Sequence, residues 1–136
     1  MTANREAVHF ANEVFYRAFA ARDVEAMQEL WARDAPVAVI HPGWQAFFGR
    51  EDVMKSWEAV LGGPNSPDIS CHEARVQICG DSAYVICYER VSGGFLVATN
   101  LFVLERGLWR MVHHQAGPTQ IAELPEEDDP PGAAFH

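Results

Sequence analysis

Residues 82–114 read SAYVICYERVSGGFLVATNLFVLERGLWRMVHH, and most of this stretch has the composition of β-strands. With the segment that precedes it, the chain shows four strand-like segments, at 69–79, 82–91, 95–106 and 108–116. Their connections are short and carry glycine, at Gly80-Asp81, Ser92-Gly93-Gly94 and Gly107. Connections this short join neighbouring antiparallel strands as hairpins. The second half of the chain therefore predicts a meandering antiparallel sheet.

The first half of the chain has a helical period. Apolar residues recur at three- and four-residue steps over 4–21, which predicts an amphipathic helix. Asp23 has the short carboxylate typical of an N-cap, and a second helix is expected to run from it to Trp31. A short buried strand at 37–41 and a third helix beginning near Glu51 follow. Helices first and strands afterwards indicate an α+β fold.

The length and charge of the chain exclude several classes of function. At 136 residues it has the size of one domain. Nineteen acidic residues against ten basic ones argue against nucleic acid as a partner, because binding it depends on neutralising phosphates. No run approaches the roughly 20 apolar residues that cross a bilayer, so no membrane partner is expected. The N-terminal stretch lacks the basic-then-apolar order of a secretory signal, and we expect a cytoplasmic protein.

The last residues differ in composition from the rest of the chain. Residues 119–136 contain five acidic residues and three prolines. We therefore expect one domain over 1–118, followed by a flexible acidic tail over 119–136. The three cysteines, Cys71, Cys79 and Cys87, form no C-x-x-C pair and are interpreted as small buried residues on strands.

Several short motifs occur along the chain in a definite order. They are Ala20-Ala21-Arg22-Asp23-Val24, His41-Pro42-Gly43-Trp44, Gly49-Arg50-Glu51, Ser56-Trp57, Ala98-Thr99-Asn100 and the stretch 107–114. In this order they resemble the SnoaL-like branch of the nuclear-transport-factor-2-like superfamily, over residues 5–118. The resemblance implies a cone-shaped, cystatin-like roll, in which three N-terminal helices pack on a curved, mostly antiparallel sheet and enclose a pocket. It also implies a homodimer formed through the outer face of the sheet.

The resemblance specifies a fold and a subfamily but no activity. The superfamily contains isomerases, dehydratases, cyclases, binding modules and oligomerisation domains, and a fold does not imply a function. Residues 82–91 carry apolar side chains on both faces of the predicted strand. A sheet with one face in water would alternate more clearly, so this pattern agrees with a dimer.

His41 is the first candidate for a catalytic residue. It ends the short apolar strand just before Pro42-Gly43, at the rim where the resemblance places pocket residues. Imidazole gains or loses a proton near neutral pH, so this side chain could act as a general base. The alternative is a structural histidine that holds the loop through a backbone carbonyl.

His113 and His114 are adjacent on the last strand, so their side chains leave on opposite faces unless a bulge intervenes. Simple alternation places Trp109 and Met111 on the face of His113, and Arg110 on the face of His114. We expect His114 to enter the cavity as a second catalytic candidate, and we keep His113 as a candidate ligand contact. A packing or interface role for either histidine stays open.

Four further residues are candidate ligand contacts: Tyr16, Trp44, Trp57 and Asn100. The aromatic side chains could form apolar walls, although such residues more often belong to the core. The amide of Asn100, in apolar surroundings, needs a ligand or a neighbouring loop as its partner. Glu89 would serve as a proton donor or acceptor if its face were the cavity, but we expect it on the outer face, paired with an arginine.

Ketosteroid isomerases belong to the same superfamily and combine an Asp base with donors from a tyrosine and a protonated Asp. In this chain Phe15 occupies the helix position that would match their tyrosine, and Tyr16 points about 100° away. Their acidic base falls close to His41. The isomerase constellation is therefore broken, and steroid isomerisation is not expected.

Two functions stay open. One is a pocket for a small organic ligand, with cofactor-free acid–base chemistry such as isomerisation, dehydration or hydrolysis. The other is a binding or assembly module without chemistry, similar to the kinase-association domains of the superfamily. The sequence contains no phosphate loop, nucleophile elbow or dinucleotide fingerprint, so no cofactor is expected. A metal site at His41, Glu89 and His114 is a minor alternative, because no metal-ligand spacing supports it.

Overall fold

The computed structural model describes residues 2–64 and 66–121 of the chain. The described residues form three helices and six strands. The helices are α1 (Thr2–Ala21), α2 (Val24–Leu30) and α3 (Arg50–Gly62). The strands are β1 (Ala38–Ile40), β2 (Ala46–Phe48), β3 (Ser70–Cys79), β4 (Ser82–Val91), β5 (Gly94–Glu105) and β6 (Leu108–Pro118). This order confirms the predicted α+β fold.

All six strands belong to one sheet, in the order β2-β1-β6-β5-β4-β3. Strands β3 to β6 form the predicted meander, and the β1–β6 pair is parallel. The sequence predicts a loop between β1 and α3, and that prediction is wrong at Ala46–Phe48. This segment pairs antiparallel with β1, with Ala38 opposite Phe48. Three residues are too few to show a strand period, so the sequence did not reveal this edge strand.

The helices cover one face of the sheet and leave the other face open. The apolar stripe of α1 packs against β3, β4 and β6, and Phe15 and Phe19 are buried in this layer. The sheet contributes fully buried side chains to the same layer, among them Val85, Cys87, Phe102 and Met111. On the opposite face Ile86 is 40% exposed and Val97 is 36% exposed.

A bulge in β6 decides which histidine enters the helix-covered layer. Leu101 of β5 lies opposite His113, but the next residue, Phe102, lies opposite Met111. Val112 is thus the extra residue, and such an insertion shifts the alternation of side chains by one. Met111 and His114 consequently share the buried face, which simple alternation did not predict.

Two charged side chains shape the segment between α2 and β1. The guanidinium of Arg50 donates hydrogen bonds to the carbonyl oxygens of Gln28, Trp31 and Ala32, at 2.8 to 3.0 Å. It therefore satisfies carbonyl groups that the end of a helix leaves without partners. The carboxylate of Glu105, at the end of β5, accepts hydrogen bonds from the backbone N–H groups of the three successive residues 33–35. Together these contacts set the path of the chain into β1 and towards His41.

The described residues correct one prediction about the cysteines. Cys87 is buried as expected, whereas Cys71 is half-buried and Cys79 is exposed at the end of β3. Most of the predicted tail, residues 122–136, lies outside the described residues. The domain boundary at 118 therefore stays a prediction.

Candidate functional site

A cavity of about 570 Å³ lies between the end of α3, the segment after it and the buried face of the sheet. This volume is within the range of about 300–1,000 Å³ that is typical of small-molecule sites. Its apolar wall includes Phe19, Trp44, Val60, Ile69 and Leu96. The polar side chains on its wall are His41, Ser66, Glu89, Ser92 and His114. Among the described residues that line it there is no lysine or arginine.

His41 lies on this wall directly after β1 and is only 3% exposed. Its Nε2 is 2.9 Å from the hydroxyl of Ser56, and that hydroxyl donates its single proton to the carbonyl oxygen of Val53 at 2.7 Å. Nε2 must therefore carry the proton, and Nδ1 is left as an acceptor with no partner among the described residues. Burial lowers the pKa of His41 from 6.5 to about 4, so the imidazole is neutral at physiological pH.

Aromatic rings hold His41 in place. The ring of Trp57 stands perpendicular to it at a centroid distance of 4.6 Å, and that of Trp44 at 5.1 Å. Trp44 also lines the cavity and is 45% exposed, which agrees with its predicted place at the rim. Trp57 is fully buried behind the wall, so it supports the site without lining the cavity.

His114 enters the cavity from β6, as expected, and is 1% exposed. Its Nδ1 lies 2.6 Å from Oδ1 of Asn100, an atom that can only accept a hydrogen bond. Nδ1 therefore carries the proton, and Nε2 presents a lone pair. The pKa of His114 is lowered to about 3, first by burial and then by the nearby His41 and His113. This histidine is also neutral at physiological pH.

Glu89 lies on the cavity wall, which contradicts its predicted place on the outer face. It is 1% exposed on the same face of β4 as Cys87, and no arginine contacts it among the described residues. Its Oε2 accepts a hydrogen bond of 2.5 Å from the hydroxyl of Tyr16 and lies 4.0 Å from Nε2 of His114. Burial raises its pKa from 4.5 to about 7, against a smaller lowering effect of the tyrosine. Glu89 can therefore be an acid or a base at neutral pH.

A buried hydrogen-bond network lies behind these side chains. The amide nitrogen of Asn100 donates to Oδ1 of Asn12 at 2.8 Å and to the hydroxyl of Tyr16 at 3.1 Å. The thiol of Cys87 lies 3.2 Å from the same hydroxyl. Asn100 and Tyr16 do not line the cavity, although both are candidate ligand contacts by sequence. They hold His114 and Glu89 in position instead.

The remaining candidate, His113, is not brought to the cavity. It lies on the other face of β6, and its Nδ1 is 2.9 Å from the carbonyl oxygen of Ala38. Sequence reasoning also missed Ser66, which lines the cavity and is 8% exposed. The hydroxyl of Ser66 has no hydrogen-bond partner among the described residues. Its only sequence signal was a place in the polar segment after Gly62-Gly63-Pro64.

The comparison with ketosteroid isomerases changes in two respects. Tyr16 reaches the site after all, because its hydroxyl bonds to Glu89, while Phe15 packs against the ring of His114 at 4.8 Å. The cavity also contains an acid, Glu89, on β4 and not after β1. The position after β1 that matches the acidic base of the isomerases is still occupied by His41, so the acid of this cavity comes from a different strand.

Two wider properties of the described residues bear on the site. No group of three or more His, Cys, Asp or Glu side chains within 2–64 and 66–121 is arranged to hold a metal ion. The spacing of His41, Glu89 and His114 thus gives the metal alternative no support. In the same ranges, no helix has both the length and the apolar character needed to cross a membrane.

Residues 8–119 match the family of SnoaL-like domains. The chain belongs to the SnoaL-like domain family. The matched residues include both the helices and the strand meander on which the predicted resemblance rests. They also include the five polar residues of the cavity wall named above. The predicted superfamily and the cystatin-like fold are confirmed.

The names of solved structures that are similar to this SnoaL-like domain state different functions. A proposed dehydratase of the NTF2-like family from Streptomyces avermitilis is 29% identical, with a TM-score of 0.80 over 88% of this chain and 99% of that one. A proposed calcium/calmodulin-dependent protein kinase type II association domain from Thiobacillus denitrificans is 32% identical, with a TM-score of 0.74 over 81% and 93%.

A plant protein is also similar to this domain in sequence. The F-box protein SKIP8 of Arabidopsis thaliana is 32% identical over 116 residues, which are 84% of this chain and 50% of the plant protein. The chain thus spans about half the length of this curated relative.

Proposed function

We propose that this domain binds a small, largely apolar organic molecule in the cavity and moves a proton on it without a cofactor. The observation that carries the proposal is the position of Glu89, a carboxyl group with a pKa of about 7 on the wall of an otherwise mostly apolar cavity. A general acid or base works best when its pKa is near the working pH. Buried carboxyl groups with shifted pKa values occur preferentially at functional sites.

Glu89 is the proton carrier in this proposal, and the two histidines position the substrate. The ionised carboxylate takes a proton from a substrate carbon. It then returns that proton to another carbon in an isomerisation, or to a departing hydroxyl group in a dehydration, which releases water. His41 and His114 stay neutral and offer Nδ1 and Nε2 to substrate donors. The 29% identity to a proposed dehydratase supports chemistry of this kind.

Hydrogen–deuterium exchange tests the proton transfer without knowledge of the product. A panel of small ketones and hydroxyketones is incubated with the protein in deuterated water, and the loss of substrate C–H signals is followed by NMR. We expect the Glu89→Gln variant to lose exchange activity by at least about 100-fold, the usual effect of a general base. The matched control is Glu51→Gln, because Glu51 is an exposed carboxylate at the start of α3.

The outcomes of this experiment are distinct. Equal exchange by the wild type and Glu89→Gln would show that Glu89 is not the base. Exchange that is lost in the Glu51→Gln control as well would point to damage away from the site. If the wild type exchanges none of the compounds, the catalytic part of the proposal is contradicted.

A second candidate function is assembly, supported by the open face of the sheet. Ile86 is exposed there between the half-buried residues Tyr84 and Tyr88 of β4, and the exposed Val97 of β5 lies opposite Tyr88. The 32% identity to a proposed kinase association domain also supports this candidate. We propose that this face forms a homodimer, which is compatible with either function because the cavity opens on the opposite side of the sheet. We also propose a cytoplasmic location for the domain, on the sequence grounds given above.

A further inference from the structure

The two histidines of the cavity wall share one property, which is that each presents a hydrogen-bond acceptor. Nδ1 of His41 and Nε2 of His114 are lone pairs, because the opposite nitrogen of each ring carries the proton. Glu89 adds a carboxyl group, and the described wall has no lysine or arginine. A ligand carboxylate or phosphate would meet no positive charge here and would lose its hydration, which is costly for an unpaired ion.

Oε2 of Glu89 and Nε2 of His114 form a closely spaced polar pair on this wall. Their 4.0 Å separation is too long for a direct hydrogen bond but allows a single oxygen atom to contact both groups. An alcohol suits the two positions, since its hydroxyl can donate one hydrogen bond and accept another. It would donate to Nε2 of His114 and accept from the protonated carboxyl of Glu89.

We infer that the ligand of this cavity is an uncharged alcohol with an apolar body, whose hydroxyl group lies between Glu89 and His114. This inference rests on the proposed function, because it names the substrate class of the same site. The hydroxyl of Ser66, for which residues 2–64 and 66–121 supply no hydrogen-bond partner, is a further polar group on the wall. A buried polar group without a partner is uncommon in proteins, and a ligand that supplies the partner removes its cost.

A series of probes with one apolar body and different polar groups tests this class. The probes are cinnamyl alcohol, cinnamate, cinnamylamine and propenylbenzene, and their dissociation constants are measured with the unmodified protein by NMR titration at about pH 6, where Glu89 is protonated. We expect the alcohol to bind at least about tenfold more tightly than cinnamate. We also expect it to bind at least about fivefold more tightly than propenylbenzene, because only the alcohol has a hydroxyl that can form hydrogen bonds with Glu89 and His114.

Each other order of affinity overturns the inference. Tightest binding of cinnamate would reveal a positive site, and tightest binding of cinnamylamine would show that Glu89 pairs as a carboxylate with an ammonium group. Equal affinity for the alcohol and the hydrocarbon would show that the hydroxyl is not recognised. No chemical shift change with the alcohol at its solubility limit would also contradict it.

The Glu89→Gln variant separates this inference from the proposed catalysis. With its amide nitrogen in the place of Oε2, the glutamine can donate both to the ligand hydroxyl and to the oxygen of Tyr16, whose own proton can turn to the thiol of Cys87 at 3.2 Å, but it cannot take up or release a proton. We expect the variant to bind cinnamyl alcohol within about threefold of the wild type while its exchange activity is lost. If the alcohol preference is kept and the wild type has no exchange activity, the ligand class stands and the catalytic proposal fails. If the variant loses the preference while it stays folded, the hydroxyl does not lie at Glu89.

Discussion

Oε2 of Glu89 and Nε2 of His114 lie 4.0 Å apart on the cavity wall, and both residues are 1% exposed. The pair is not an ion pair, since the histidine is neutral at physiological pH and the carboxyl group titrates near 7. A buried carboxyl group without a cation destabilises the protein when it ionises. Proteins keep such a destabilising group where a functional site needs a side chain that can change its protonation state.

The ionisation of Glu89 should make stability depend on pH. Its pKa is raised from 4.5 to about 7, so the folded state holds a proton that the unfolded state releases between these values. The free energy of unfolding therefore falls as pH rises through this window, by up to about 3 kcal/mol. We expect Glu89→Gln to lack this fall, and urea unfolding between pH 5 and 8 measures the difference between the two proteins.

The two buried histidines change the free energy of unfolding with pH in the direction opposite to Glu89. Their effect provides an internal check. The pKa values of His41 and His114 are lowered from 6.5 to about 4 and about 3, so the contribution of each to stability rises with pH between its lowered value and 6.5. This contribution is present in both proteins and cancels in the difference. A constant difference between the wild type and Glu89→Gln across the range would contradict a raised pKa.

Asn100 should fix the tautomer of His114 as well as contribute to stability. It is fully buried and bonds to Nδ1 of His114, to Asn12 and to Tyr16. Asn100→Ala removes the hydrogen-bond partner of Nδ1 of His114 and of Oδ1 of Asn12, while Tyr16 keeps its bond to Glu89, and we expect a loss of about 3 kcal/mol. Thr99→Ala is the control, with a loss below about 1 kcal/mol, because Thr99 faces away from the network.

NMR of labelled histidine distinguishes positioning from mere stability in this variant. In the wild type we expect His114 to keep its proton on Nδ1 between pH 5 and 8. In Asn100→Ala, studied where it is folded, the two tautomers should both be populated. A fixed tautomer in the variant would show that Asn100 does not set it.

Arg50 should be important for the link between α2 and α3. Its guanidinium bonds to three backbone carbonyl oxygens at the end of α2, and no single aliphatic side chain replaces them. We expect Arg50→Met to lower the free energy of unfolding by about 2 kcal/mol, measured from urea midpoints. Lys55→Met is the control, because Lys55 makes only an exposed ion pair with Glu51. Similar losses in both variants would remove the special role of Arg50.

The open sheet face should control the oligomeric state. We expect the wild type to be a dimer by light scattering and Ile86→Glu to be a monomer, because a buried charge without a partner would oppose association. Leu108→Glu is the control: Leu108 is 56% exposed but lies beside α1 and α2, away from this face. A monomeric wild type, or dissociation in the Leu108 variant alone, would contradict the proposed interface.

Local patterns in the sequence identified most of the elements. The spacing of apolar residues marked the three helices, and the glycine-bearing connections marked the meander of β3 to β6. These signals suffice because helix period, capping and tight turns depend on neighbouring residues. The edge strand β2 was missed because a three-residue strand carries no period of its own.

Only part of the candidate site could be predicted from local patterns in the sequence. His41 was placed at the rim because it ends a strand just before a turn, where the family resemblance places pocket residues. His114 was placed in the cavity, but the bulge at Val112 that brings Met111 to the same face was not foreseen. Glu89 was assigned to the wrong face, because both faces of β4 are apolar and the alternation alone does not say which one α1 covers.

The sequence by itself thus determined the α+β fold, the family and the place of His41, since all of these follow from short-range patterns. Only the tertiary structure decided that Glu89, His114 and Ser66 share one cavity and that Tyr16 bonds to Glu89 from behind the cavity wall. The physical reason is distance along the chain: Asn12 bonds to Asn100 across 88 residues, and Tyr16 bonds to Glu89 across 73. The protonation of such a site depends on burial and on these distant partners, which no local pattern records.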